Sequence, residues 1–234
     1  FTWSVSDALG TIDEDGTFTA VQTGRDVTGT LTVTYGETSC TLSVTVGSSQ
    51  PFDDTKGHWA ESYITELYYA GTLQGSEKNG KLYYRPDASM TRQEFIVAMM
   101  RYLGTDLSAY ASVQLPFDDS GSIASWAKSA MQAAYQLGYL TGSKTNGKLL
   151  AKPGSTISRQ EAMTILSRTK DFADADLNVL SAFSDSGKIA DWARTALAQM
   201  TQQKIISGSK GKLNPTGKVT RAEVAKMLYM LSES

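Results

Sequence analysis

Three arginines occupy one place in a repeated motif. Arg92, Arg159 and Arg221 stand in Thr91-Arg92-Gln93-Glu94, Ser158-Arg159-Gln160-Glu161 and Thr220-Arg221-Ala222-Glu223. A Ser or Thr with Glu three residues on is the capping box that opens a helix. Each arginine therefore falls at the first helical position. A cation there opposes the helix dipole by up to about 1 kcal/mol, and three such choices point to a compensating anion. Two compensations fit the residues. The guanidinium can grip an incoming carboxylate by two parallel hydrogen bonds, aided by free N–H groups of the helix start. Alternatively, it can pair with a carboxylate of the neighbouring repeat.

Little else in the chain offers catalytic chemistry. His58 is the single histidine, and any Ser-His-Asp or Cys-His arrangement would have to use it. Ser125 and Asp191 take its place in the later repeats, so it reads as a surface residue. Acidic residues fall at caps and exposed faces, without the constellation of a glycosidase pair. There is no phosphate loop, zinc spacing or calcium loop, and Asp53 and Asp118 give way to Ser184, against a repeated metal site. No cofactor is expected. The net charge of -2, without a basic block, excludes the concentrated positive face of a nucleic-acid or membrane-surface binder. No apolar run approaches the roughly 18 residues of a membrane span.

The elements that carry the arginines form one unit written three times. Trp59, Trp126 and Trp192 lie 67 and 66 residues apart, and Gly75-Ser76, Gly142-Ser143 and Gly208-Ser209 keep step. Pro86, Pro153 and Pro215 each precede a capping box by five residues. Each unit reads as helix, loop, helix. The first helix is expected to include the tryptophan, with apolar partners Ile64 and Leu67, Met131 and Ala134, Leu197 and Met200. Gly71 and Gly138 would stop it as left-handed caps, with Lys204 a weaker stop in the third unit. The second helix shows an apolar face at Phe95, Ile96, Met99, Met100 and Leu103, at Ala162, Met163 and Leu166, and at Val224, Met227, Leu228 and Leu231. Such faces require the units to pack on one another. Asn79-Gly80 and Asn146-Gly147 mark turns; the third unit is four residues shorter there.

Residues 1–47 read differently. Thr30–Tyr35 and Thr41–Val46 alternate with period two and are rich in β-branched residues. Asp15-Gly16, between Ile12 and Phe18, signals a hairpin. Cys40, the single cysteine, is expected to be a buried strand residue. Residues 48–51 read as a flexible linker. This β segment resembles the C-terminal part of bacterial immunoglobulin-like domains, with the first strands missing, and reads as a spacer. The chain, which begins at Phe1, is expected to be a piece of a longer protein.

The order Phe-x-Asp, Trp-Ala, Gly-Ser, Pro, [ST]-R-x-E, met three times over residues 51–234, resembles the S-layer homology (SLH) family. The resemblance implies a mainly α fold. Three repeats, at 52–109, 110–176 and 177–234, would form a pseudo-threefold spindle around a central helical bundle, with ligand grooves between neighbours. It also implies a secreted protein of the bacterial cell surface, held non-covalently to secondary cell-wall polysaccharide bearing pyruvate ketals on N-acetylmannosamine. The arginines would then grip the ketal carboxylate.

The other repeated residues keep two readings each. The Gly-Ser pairs bring backbone donors and a hydroxyl close to a sugar, or simply turn the chain. The tryptophans pack while exposing one edge that can stack on a sugar. Asp54, Asp119 and Asp185 cap helices or bind sugar hydroxyls. The alternatives to a polysaccharide anchor are a protein–protein assembly module of a surface lattice and a tether for an enzyme in the absent N-terminal part.

Overall fold

The computed structural model describes residues 1–233, in two compact units, Phe1–Tyr84 and the remainder from Arg85. The division falls inside the first repeat.

In the first unit, strands β1 (Thr2–Val5), β4 (Val27–Tyr35) and β5 (Thr38–Val46) form an antiparallel sheet in the order β1-β4-β5. Strands β2 (Gly10–Ile12) and β3 (Phe18–Ala20) make the hairpin expected at Asp15-Gly16, with Ile12 opposite Phe18. The period-two alternation sorts the sheet into two faces. One face carries hydroxyl pairs, Thr28–Thr45 at 2.8 Å, Thr32–Thr41 at 3.0 Å and Thr34–Ser39 at 2.8 Å. The other carries Trp3, Val33 and Cys40 in one row and Val5, Leu31 and Leu42 in the next. Cys40 is exposed, contrary to expectation. It lies on the edge strand, and burying it would need a second layer over β5, which the described residues do not supply.

The segment 48–51 is hydrogen-bonded to the residues around it. Ser48 N–H donates to Asp26, Ser49 N–H to the Thr23 carbonyl, and the Ser49 hydroxyl to Tyr69. Gln50 accepts from Thr65. Tyr69 and Thr65 belong to helix α1 (Glu61–Tyr69), which buries Ile64 and Leu67 and ends at Gly71 with φ +75°.

The loop of each repeat holds more structure than its sequence announces. After α1 comes a hairpin of β6 (Ser76–Lys78) and β7 (Lys81–Tyr83), turning on Asn79 and Gly80, both at positive φ. The second repeat copies it with β8 (Ser143–Thr145) and β9 (Lys148–Leu150) around Asn146-Gly147. In the third, a single bridge from Ser209 to Lys212 suffices. The fold is thus helix-rich but mixed.

In the second unit, helices α2 (Arg92–Tyr102), α3 (Lys128–Gln136), α4 (Arg159–Ser167), α5 (Arg194–Gln202) and α6 (Arg221–Ser232) follow the two-helix plan. All three capping boxes form at α2, α4 and α6. The expected apolar faces are buried, Leu103 excepted, which is half-buried. Just before these helices, three backbones close a ring. Met90 N–H donates to Val219, Val219 N–H to Ile157, and Ile157 N–H to Met90. These three side chains are buried as well.

The tryptophans are not part of the first helices. Trp59 precedes α1, while Trp126 and Trp192 sit on 3₁₀ turns, Ser125–Ala127 and Asp191–Ala193, that lead into α3 and α5. Their exposures are 55%, 58% and 58%. The core position is instead taken by the alanine that follows each, Ala60, Ala127 and Ala193, all at 0%.

Gly142 explains one half of the Gly-Ser signal. It has φ +72°, and a Cβ there would lie 2.6 Å from Phe117. Gly208 lacks the positive φ but meets Phe183 at 2.5 Å in the same way. The glycine is thus the seat of the Phe-x-Asp phenylalanine. Gly142→Ala should cost about 2–4 kcal/mol, from overpacking and left-handed strain together. Gly208→Ala should cost only the overpacking part, about 1–3 kcal/mol. Urea midpoints compare the two; equal losses would remove the backbone term.

Candidate functional site

Each second helix begins against the next repeat. Arg92 N–H donates to the Ser155 carbonyl and Gln93 N–H to Pro153; Arg159 and Gln160 donate to Gly217 and Pro215. Arg221 and Ala222 donate to Ala88 and Pro86. The third-position N–H groups, of Glu94, Glu161 and Glu223, go to the capping hydroxyls. The first-turn donors are therefore occupied by protein. An anion at these helix starts must be held by side chains, not by the free N–H groups expected from sequence.

The guanidinium of Arg92 pairs with Glu161 at 2.8 Å, and that of Arg159 with Glu223 at 3.0 Å. The compensating carboxylate of the neighbouring repeat is thus present at both. Glu161 divides its oxygens: one accepts from the Ser158 N–H and hydroxyl, the other from Arg92. Burial by itself pushes the Glu161 carboxyl up. The Ser158 hydroxyl, the Arg92 guanidinium and the Ser158 N–H outweigh it and hold the group below its ordinary value of 4.5.

The pair leaves Arg92 with donors to spare. A guanidinium has five N–H groups, and among the described residues that of Arg92 makes one hydrogen bond within the protein, to Glu161. These groups border a groove of about 340 Å³ lined by Tyr139, Thr141, Gly142, Ser143, Arg168 and Trp192, among others. The groove draws on all three repeats. The arginine comes from the first, the Gly-Ser turn and α4 from the second, and the tryptophan from the third. Arg92 and Arg159 are thus both placed beside the Gly-Ser turn of the following repeat, since Arg159 donates to Ser207, next to Gly208, at 3.3 Å. Trp192 is held in place by the second motif residue: Gln160 accepts from Ala190 N–H at 3.0 Å, at the start of the tryptophan turn. Gln93 does the same for the Trp126 turn through Ala124. The third motif has Ala222, which has no such group.

Among the described residues, two side-chain polar atoms are buried without partners, the Ser143 hydroxyl and Arg159 Nε. An orphaned buried donor is costly, and Ser143 lies on the groove wall. Arg159 is more committed than Arg92, because Glu223 and Ser207 both accept from it. Burial lowers its pKa, and Glu223 partly restores it.

Asp119 and Asp185 do not cap the 3₁₀ turns that follow them. Asp119 accepts from Ala151 and Lys152 N–H, both at 2.8 Å, and Asp185 from Leu213 and Asn214 N–H at 2.9 and 2.8 Å. Asp54 accepts from Tyr84 N–H at 2.8 Å. These carboxylates fasten the Phe-x-Asp turn to the far end of the hairpin loop, about 30 residues downstream. Trp59, Gly75 and Ser76 belong to the first unit, and Trp126, Gly208, Ser209 and Arg221 to the second.

Arg168, Tyr139, Thr141 and the two glutamines did not stand out in the sequence. Arg168 lies nine residues after Arg159, as Arg101 does after Arg92, but Met230 breaks the pattern after Arg221. Two occurrences among three repeats give a weak signal.

Comparison with known proteins places the repeats. The S-layer homology domain profile matches residues 51–96, 116–163 and 182–225. The chain is 28% identical to an amylopullulanase of Thermoanaerobacterium thermosulfurigenes, over 86% of this chain and 10% of that protein. It is 29% identical to exoglucanase XynX of Acetivibrio thermocellus, over the whole of this chain and 21% of that protein. It is 32% identical to the surface-layer 125 kDa protein of Lysinibacillus sphaericus, over 77% of this chain and 15% of that protein. The chain thus spans only 10 to 21% of the length of these relatives.

Proposed function

Because the chain belongs to the S-layer homology domain family, whose domains anchor secreted proteins at the cell surface, we propose that it is a non-catalytic wall anchor for acidic polysaccharide. The ligand is a secondary cell-wall polymer with pyruvate ketals on N-acetylmannosamine. The observation that carries this reading is the Arg92 groove. It unites spare guanidinium donors, an unpartnered hydroxyl at Ser143 and an exposed indole at Trp192. The guanidinium suits a ketal carboxylate, the hydroxyl suits a ring substituent, and the indole face suits the apolar side of a pyranose.

The closed ring through Met90, Ile157 and Val219 supports reading the second helices as the centre of a pseudo-threefold spindle. Several grooves on one polymer raise retention through effective concentration, even at modest affinity per site. Two of the relatives are named as enzymes and one as a surface-layer protein. A module common to both kinds favours shared attachment over lattice building. In the same reading, residues 1–47 are a spacer of bacterial immunoglobulin-like type, and a longer parent protein carries whatever the module tethers. The test is binding to purified wall polymer before and after removal of its ketals.

A further inference from the structure

The charge of the Arg92 groove does not balance. Arg92 and Glu161 offset one another, and the second oxygen of Glu161 is taken up by Ser158. Lys152 adds a further positive influence on Glu161. Arg168, at the end of α4, also lines the groove. Its Nη1 donates to the Tyr139 carbonyl at 2.8 Å and lies 3.4 Å from the Thr141 hydroxyl. Among the described residues it has no carboxylate partner. Burial pushes its pKa down, and repulsion from Arg92 adds to this. An arginine nonetheless stays charged in a protein. Two guanidiniums therefore share a groove with one carboxylate, beside an unpartnered serine hydroxyl.

We propose that Arg168 is a specificity-determining residue of this groove: a second guanidinium that, together with Arg92, selects a sugar bearing a carboxylate over its neutral counterpart. The inference rests on the anchor reading and deepens it. A single carboxylate between the two arginines neutralises the groove and relieves their repulsion. A neutral sugar gains the indole and hydroxyl contacts but not this relief. The hydrogen bond to Tyr139 aims the guanidinium while leaving its other N–H groups for the ligand.

The full chain is titrated with the pyruvate ketal of N-acetylmannosamine and with N-acetylmannosamine itself, as monosaccharides. Binding is read at the Trp192 indole N–H by NMR, so that this groove is observed apart from the others. Arg168→Gln keeps a donor for Tyr139 without the charge, and Arg168→Lys keeps the charge. Arg168→Gln should weaken the ketal about tenfold or more and leave the neutral sugar unchanged, and Arg168→Lys should recover most of the loss. An unchanged acid-over-neutral preference in Arg168→Gln overturns the proposal. So does an equal loss in Arg168→Lys, which would make Arg168 a strut for the Tyr139 loop. If the ketal still fails to bind only in Arg92→Ala, the anchor reading stands without Arg168. If it does not bind the unaltered chain, both fall.

Discussion

Glu161→Ala should lower the stability of the chain by about 2–4 kcal/mol in urea unfolding. The helix cap lost with the carboxylate contributes about 1 kcal/mol. The larger share comes from Arg92, whose side chain is only 11% exposed and would be left charged without its partner, at about 1–3 kcal/mol. Removing the other partner is the milder change. In Arg92→Ala, Glu161 keeps the Ser158 N–H and hydroxyl and is 31% exposed, so about 1 kcal/mol is expected. A reversed order would contradict the assigned burial.

The same carboxylate sets a pH dependence. The folded pKa of Glu161 is lowered, so the folded state favours its ionised form. Its contribution is complete above the ordinary value of 4.5 and is lost as pH falls through the folded value. Asp185 acts in the same direction. Burial raises its pKa, but the Leu213 and Asn214 N–H groups overcome this and bring it below the usual 3.8. Acid unfolding should therefore steepen below about pH 4.5. Glu161→Gln, which keeps the acceptor but not the charge, should flatten that region, and an unchanged acid limb would remove Glu161 as a cause.

Arg92→Ala should have the largest effect on binding. At the Arg92 groove, affinity for the ketal monosaccharide should fall about 100-fold or more, since a buried charge-assisted contact is lost outright. Arg92→Lys retains the charge but not the fork, and should lose about tenfold. Melting curves separate this from unfolding, because the expected stability loss is small. Binding by Arg92→Ala at near-normal affinity would sink the role given to this arginine.

The local chemistry of the fold was legible in the sequence. Capping boxes formed at Thr91, Ser158 and Thr220, and the glycine stops at Gly71 and Gly138 have φ +75° and +78°. Even Lys204, the weaker stop, adopts φ +56°. What escaped the sequence was non-local or short. The hairpin strands have three residues each, too few for alternation to register. The aspartates find their partners about 30 residues away, so helix capping was the nearest explanation and the wrong one for Asp119 and Asp185. The tryptophans were assigned to an amphipathic helix from spacing alone, whereas Ala60, Ala127 and Ala193 take the buried places. The arginine positions were readable, and a carboxylate of the neighbouring repeat was one of two partners the sequence offered; that Glu161 and Glu223 are those carboxylates for Arg92 and Arg159 was not. The helix-start site is a side-chain site: the first-turn N–H groups are used by neighbouring backbone and caps, and the spare donors are those of the Arg92 guanidinium.

The measurement that bears most directly on this account is equilibrium binding of the full chain to one purified wall polymer, with its pyruvate ketals intact and after mild removal. The account predicts saturable binding to the intact polymer that weakens with salt, and a loss of about 100-fold or more without the ketals. Equal binding to both polymers would contradict it.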